Sequence, residues 1–265
     1  MLYNSVNFKS IATVASSDRG IAFGDGVFTT AKIVHATIEH QAQHLLRLQH
    51  SCQRLSIQFI DWQAVSDEMN KAAENIELGC LKVIITAGSN GRGYSRIGAT
   101  EPTIIVSVSD YPSHYQQWQK QGVRLGQSSI KLGLNPALAG LKHLNRLEQV
   151  LVRNELDTLA VDEVIVSDLN DNIIECNTAN IFWCKKDIWF TPSLTMAGVN
   201  GIIRDNIIDA LANVNIVEAK ISELVSSDAM FICNSLLGVA PVQQFLHSKI
   251  SIEKVLQHSV LKGFQ

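Results

Sequence analysis

Between residues 163 and 190, three strand-like runs (163–167, 173–183 and 188–190) are separated only by turn sequences. Asn170-Asp171-Asn172 and Lys185-Lys186-Asp187 supply the breaks. Residues of this kind accept the tight turns that join antiparallel strands. The spacing predicts an antiparallel meander. Strand-like runs also occupy 27–34, 37–39, 81–86, 103–108 and 123–132. Helical apolar spacing marks 43–55 (Leu45, Leu48, Cys52, Leu55), 61–75 (Trp62, Val65, Met69) and 144–159. In the last of these, Leu144, Leu147 and Leu151 share a face that Val150 widens. Residues 202–211 and 251–261 read as further helices. Strands and helices in mixed groups, with hairpins, indicate an α+β fold and not a doubly wound parallel sheet.

Tyr111-Pro112-Ser113-His114 punctuates the chain. The expected division is a smaller N-terminal α+β domain over 1–112, a linker over 113–121, and a larger C-terminal α+β domain over 122–265.

The chain has 265 residues, 46% of them hydrophobic and 18% charged, and this suits packed domains. A net charge of −3 without a basic tract argues against nucleic acid or anionic membrane as a partner. No apolar run reaches membrane-spanning length. The N-terminus lacks a signal-peptide pattern, so a cytoplasmic location is expected. The five cysteines lack CxxC spacing, which suggests reduced thiols in a cytosolic protein, and the eight histidines show no metal-ligand spacing.

Several residues could carry chemistry. Lys142, in Ala-Gly-Leu-Lys-His-Leu-Asn-Arg, lies where an irregular stretch meets a helix, between apolar Leu141 and Leu144. Partial desolvation turns such an amine into a nucleophile and base, able to form a Schiff base with a carbonyl cofactor. A solvated surface lysine is the plainer reading of Lys142 alone. Glu175 interrupts an apolar run and could face a pyridine nitrogen, or simply point outward from a half-buried strand. Gly201 and Ile202 open a helix whose backbone amides could bind phosphate, although Asn200 could equally be an ordinary N-cap. Asn234 and Ser235 follow a strand end, where a hydroxyl could meet phosphate or merely form a turn. Arg47 carries a fork of donors suited to phosphate, or to a carboxylate on a neighbouring element. The Gly-rich loop 88–94 could present Arg92 and Tyr94 to a carboxylate. Neither it nor residues 23–28 has nucleotide-binding spacing.

Taken in order, FGDGVFTTAK (23–32), Arg47, GRGY (91–94), GLKHLNRLEQV (140–150), ECNTANIFW (175–183) and GVNGIIR (198–204) resemble the fold-type IV enzymes that use pyridoxal phosphate (PLP). Within them the chain is similar to the aminodeoxychorismate lyases of bacterial folate synthesis. The lysine-containing run and GRGY separate these from the sister aminotransferases. The resemblance spans nearly the whole chain. It implies a two-domain fold like that of D-amino-acid aminotransferase, with PLP in the interdomain cleft, and a homodimer. It makes Lys142 the Schiff-base residue and the base at substrate C4. Glu175 becomes the partner of the ring nitrogen, and Arg47, Gly201, Ile202, Asn234 and Ser235 the phosphate cradle. Phe28, Thr30, Arg92, Tyr94 and Arg146 become candidates for substrate contact. The implied reaction converts 4-amino-4-deoxychorismate to 4-aminobenzoate and pyruvate. The alternatives are a D-amino-acid or branched-chain aminotransferase on the same fold, or a PLP-binding protein without turnover. One departure stands out. Ala87 lies where relatives are expected to carry Arg, so Arg92 or another cation must serve a substrate carboxylate that this Arg would have bound.

Overall fold

The computed structural model describes residues 1–264. These form two compact units: Met1–Pro112 with Lys142–Asn145, and Ser113–Leu141 with Arg146 onward.

The first unit is built on β1 (Tyr3–Val6), α1 (Arg19–Phe23), β2 (Gly26–Val34), β3 (Thr37–Ile38), α2 (Gln41–Arg54), α3 (Trp62–Ala73), β4 (Leu78–Thr86), β5 (Asn90–Arg92), β6 (Ser95–Ala99) and β7 (Thr103–Asp110). Five of its strands make an antiparallel sheet in the order β1-β7-β4-β2-β3, and β5 and β6 form a separate hairpin. Alternation along β2 decides which face is covered. Val27, Ala31 and Ile33 are fully buried with Leu81, Val83 and Ile85 of β4, and Leu48 and Cys52 of α2 and Val65 and Met69 of α3 belong to the same core. Burying each of the Val, Leu, Ile and Met side chains is worth roughly 1.5–3 kcal/mol, more than strand propensity, so the pattern fixes the register. Phe28, Thr30 and Lys32 alternate with these buried residues and therefore project from the opposite face. Asp61 caps α3 by accepting from the Ala64 amide at 3.0 Å.

The second unit holds α4 (Tyr115–Gln121), β8 (Val123–Gln127), α5 (Leu147–Leu156), β9 (Glu163–Ser167), β10 (Ile173–Cys176), β11 (Asn180–Lys185), β12 (Ile188–Pro192), α6 (Ile202–Ala210), β13 (Val214–Val217), β14 (Ala229–Asn234), β15 (Gly238–Phe245), β16 (Ser248–Lys249), α7 (Glu253–Gln257) and α8 (Ser259–Lys262). Its mixed sheet runs β10-β9-β8-β15-β14-β11-β12-β13, with β16 beside β15. The pairings β8–β9, β8–β15 and β12–β13 are parallel, and the others are antiparallel.

Several sequence expectations change. Residues 113–121 are not a free linker. They contain α4, whose Tyr115 is buried and whose Gln119 side chain donates to the Leu237 carbonyl at 2.6 Å. Lys142 lies with the N-terminal unit and not the C-terminal one. The run 173–183 is two strands, broken at 177–179. The helix expected over 144–159 spans only Leu147–Leu156, and Leu147, Val150 and Leu151 are 79%, 50% and 53% exposed. Val152 and Leu156 bury the other face of that helix. The strand expected over 123–132 ends at Gln127, and the C-terminal helix is two short pieces. All five cysteines are free. Among the described residues no helix is long and apolar enough to cross a membrane, and no cluster of side chains could hold a metal ion.

Candidate active site

In the first unit, residues 142–144 lie along the edge of β2. The Phe28 amide donates to the Lys142 carbonyl at 2.9 Å, the Leu144 amide donates to the Gly26 carbonyl at 3.0 Å, and Val27 bridges His143. This pairing puts the Lys142 side chain beside Phe28. Its Nζ lies 4.7 Å from the centre of the Phe28 ring, within range of a cation–π attraction. Lys82 Nζ lies 5.0 Å from the same ring. Lys82 is directly opposite Thr30 across the β2–β4 ladder. Phe28, Thr30, Lys82 and Lys142 thus form one group on the face of the sheet away from the helices. The Lys82 cation was missed in the sequence, yet alternation with buried Leu81 and Val83 could have found it. Ala87 is 6% exposed and its amide is bound to the Asp25 carbonyl, so no cation stands there.

Arg47 projects from α2 one turn after His44. His44 is completely buried, and its Nδ1 is 2.6 Å from the Thr29 hydroxyl. Burial drives its pKa down to about 3, with the charges of Arg47, His40 and Lys142 adding to the effect. His44 is therefore neutral at physiological pH. It too was missed in the sequence, although its spacing three residues before Arg47 was a signal.

Arg92 and Tyr94 lie on the β5–β6 hairpin, and Tyr94 is 89% exposed.

In the second unit, Glu175 on β10 is only 6% exposed and does not point outward. Its Oε2 accepts from the Val199 amide at 2.8 Å, and the Asn180 side chain donates to the Val199 carbonyl at 3.0 Å. Glu163 fixes the turn between these two strands. It accepts from the Asn177 and Thr178 amides, each at 3.1 Å, and from the Thr178 hydroxyl at 2.7 Å. Glu163 is a site-shaping residue that sequence reasoning overlooked, because an acid at a strand start reads as solvated.

Beyond Val199 the chain enters α6. Gly201, not Asn200, is the N-cap, and no side chain caps the helix start. The Asn200 side chain instead bonds Asp205 and Arg204. Arg204 is buried and also donates to the Pro192 carbonyl at 2.9 Å, which anchors the first turn. A side chain at 201 would displace Asn180, since an added Cβ would lie 2.0 Å from Asn180 Oδ1. An uncapped helix start presents backbone N–H groups and a positive dipole end to an anion. Gly140 is tied to the same segment, its amide donating to the Gly198 carbonyl at 2.9 Å. Arg146 donates to the Leu141 carbonyl at 2.6 Å. Burial pushes the Arg146 pKa down, while Glu175 and Glu148 pull it up.

Asn234 is committed to local structure. Its Oδ1 accepts from the Leu236 and Leu237 amides at 2.9 and 2.7 Å, and its Nδ2 donates to the Thr178 carbonyl at 3.1 Å. It shapes the turn that carries Ser235.

The first unit thus offers a lysine beside an aromatic ring, and the second a buried carboxylate and an open helix start. The amino-transferase class IV family model matches residues 26–245, and the chain belongs to that family. It is 37% identical to the aminodeoxychorismate lyase of Vibrio harveyi over 233 residues, 86% of each chain. The crystal structure of 4-amino-4-deoxychorismate lyase from Pseudomonas aeruginosa superimposes with a TM-score of 0.90 at 31% identity, covering 99% of this chain and 96% of that one. The branched-chain amino acid aminotransferase of Escherichia coli shares the fold, with a TM-score of 0.86 at 19% identity and coverage of 99% and 96%.

Proposed function

We propose that this chain is a PLP-dependent lyase that converts 4-amino-4-deoxychorismate to 4-aminobenzoate and pyruvate. The observation that carries the reading is the 37% identity to a lyase of that name over 86% of both chains. Aminotransferase relatives match less closely, the archaeal branched-chain one at 26%.

The donor set fits PLP. In one unit a buried acid is bonded to Val199, and the same short segment leads into an uncapped helix start. That pairing suits a molecule with a basic ring nitrogen at one end and a phosphate at the other. Glu175 would hold the nitrogen. The amides at Gly201 and Ile202, with Arg47 and the turn of Asn234 and Ser235, would hold the phosphate, and the Lys142 amine would anchor the aldehyde carbon. When bound, the cofactor supplies an electron sink for negative charge at the carbon bearing the substrate amine.

Lys142 is the base that takes the proton from substrate C4. Phe28 and Thr30 line the ring side of the substrate, while Arg92, Tyr94 and Arg146 are the contacts for its polar groups. Lys82 supplies a further cation for a carboxylate, which answers the lack of one at Ala87. The enolpyruvyl group leaves from C3 and the ring becomes aromatic, so the step is strongly downhill. The chain need only orient the substrate and place one base.

The working form is a homodimer in the cytoplasm. The exposed Leu147, Val150 and Leu151 stripe on α5 is the apolar face offered to a second copy.

The test is incubation of the holoprotein with 4-amino-4-deoxychorismate and no amino-group acceptor. Equal amounts of pyruvate and 4-aminobenzoate are expected. No pyruvate, together with amino transfer from D-alanine or a branched-chain amino acid to 2-oxoglutarate, would replace this reading with the aminotransferase one.

A further inference from the structure

The β5–β6 hairpin is folded around a side chain that belongs to another element. Arg19, at the start of α1, is 3% exposed. Its Nη1 donates to the carbonyls of Gly93 at 3.0 Å, Ser95 at 3.2 Å and Asn90 at 3.4 Å, and its Nη2 donates to that of Tyr94 at 3.1 Å. The remaining donor, Nε, meets Asp25 Oδ2 at 2.8 Å. The guanidinium also lies 5.0 Å from the centre of the Phe23 ring, which is itself 5.4 Å from the ring of Tyr94.

The base of this cage is fixed from both sides. Asp18, wholly buried, accepts from the Gly20 amide at 2.7 Å and from the hydroxyls of Thr103 at 2.7 Å and Thr86 at 3.0 Å, so α1 is tied to the sheet. Arg96 on β6 chelates the Asp25 carboxylate and donates to the Leu55 carbonyl. At its base the hairpin is held by the Ser89–Thr100 pairing and by the Asn90 amide on the Ser17 carbonyl, whereas its tip carries no regular ladder. Its ladder is irregular, and Asn90, Gly91 and Gly93 all have left-handed φ, at 70°, 82° and 57°.

We propose that Arg19 is a positioning residue for substrate recognition: its guanidinium moulds the 90–95 turn through four backbone carbonyls and thereby aims Arg92 and Tyr94, without itself touching substrate. The inference rests on the lyase reading above. Only a planar fork with five donors can span four carbonyls and a carboxylate at once. A lysine ammonium keeps the charge and loses the geometry.

The test compares R19K, R92A and the double variant as holoenzymes, with amide hydrogen exchange of residues 90–95 measured alongside. R19K is expected to raise KM for the lyase substrate at least about tenfold and to change kcat less than about threefold. Exchange at 90–95 should accelerate while the absorbance of the bound cofactor is unchanged. In the R92A background, R19K should change KM by less than about twofold, because its effect passes through Arg92. A loss of stability alone would lower active protein without splitting KM from kcat. Unchanged KM in R19K, unchanged exchange at 90–95, or full additivity with R92A would each overturn the proposal. If R19K does not fold, G91A probes the cage from the hairpin side, since its Cβ would lie 3.1 Å from Arg19 Nη1 and 2.5 Å from the Ser95 carbonyl oxygen. Raised KM in G91A supports the proposal, and unchanged KM overturns it. The exchange arm needs no substrate, so a protein without lyase activity is told apart from a hairpin that does not depend on Arg19.

Discussion

Lys142 and Phe28 are joined twice: the Phe28 amide donates to the Lys142 carbonyl at 2.9 Å, and the Lys142 ammonium lies 4.7 Å from the centre of the Phe28 ring. The backbone bond fixes where the lysine stands, and the ring attracts its amine. A cation–π contact of this kind is worth about 0.5–2 kcal/mol. Phe28→Leu keeps the backbone pairing and removes the ring. It is expected to lower kcat about 2- to 30-fold, the rate equivalent of that energy, with an unchanged circular dichroism spectrum. An undiminished kcat would separate the ring from the function of Lys142.

Lys142→Ala is expected to reduce pyruvate release to background while leaving the β2 edge pairing intact, since that pairing uses only backbone atoms. Borohydride reduction of wild-type holoprotein followed by peptide mapping should place the label on Lys142. Near-normal turnover in the alanine variant, or a label elsewhere, would remove Lys142 from the mechanism.

Glu175→Gln can still accept from the Val199 amide, so the strand and the α6 entry should survive. The negative charge does not. A fall in kcat on the order of 10²-fold is expected, the scale on which removal of one preorganised electrostatic group is felt in an active site. Stopped-flow absorbance of the bound cofactor would report whether the chemical step is the one slowed.

His44 couples stability to pH. Burial, and after it the charges of Arg47, His40 and Lys142, keep it neutral in the folded protein down to about pH 3. The unfolded chain takes up that proton below about pH 6.5. The unfolded state therefore binds more protons throughout this window. Stability falls as pH drops through it, by up to roughly 1.4 kcal/mol per pH unit, and is unaffected by His44 above about pH 7. Urea unfolding at a series of pH values should show a slope that is reduced in His44→Asn. Equal slopes in the two proteins would assign the acid sensitivity to other groups.

The α5 stripe predicts assembly state. Leu147→Glu with Leu151→Glu places two charges on side chains that are 79% and 53% exposed, so the folded monomer should tolerate them. Sedimentation velocity is expected to show a dimer for the native sequence and a monomer for the double variant. A native monomer, or a dimer that survives both charges, would move the contact elsewhere.

Much of this was readable from residue order. β-rich composition located β2 and most of β4, because residues that fit a half-buried pleated surface are concentrated there. Helical spacing misjudged α5, where the Leu147, Val150 and Leu151 stripe has the spacing of a buried face but lies outside, with Val152 and Leu156 doing the packing. Apolar spacing shows that a face seeks cover and is silent on what covers it. Glu175 was legible as an oddity in an apolar run. Its burial was not, because that depends on the Val199 amide, which is distant in sequence. Arg19 and Glu163 were invisible for the same reason. Each acts on backbone groups of a remote turn, and backbone groups leave no trace in composition.

Residues 142–145 belong to the first unit although the chain on either side of them belongs to the second. On a ribosome this imposes an order of events. Met1–Pro112 emerges first, with the edge of β2 at Gly26–Phe28 still lacking its neighbour. At about 5–20 residues per second, the interval up to Lys142 takes a few seconds to synthesise. Lys142–Asn145 is therefore the closing piece of the first unit. A nascent chain stalled before that point would carry an exposed strand edge, the kind of unpaired backbone that templates pairing with another chain.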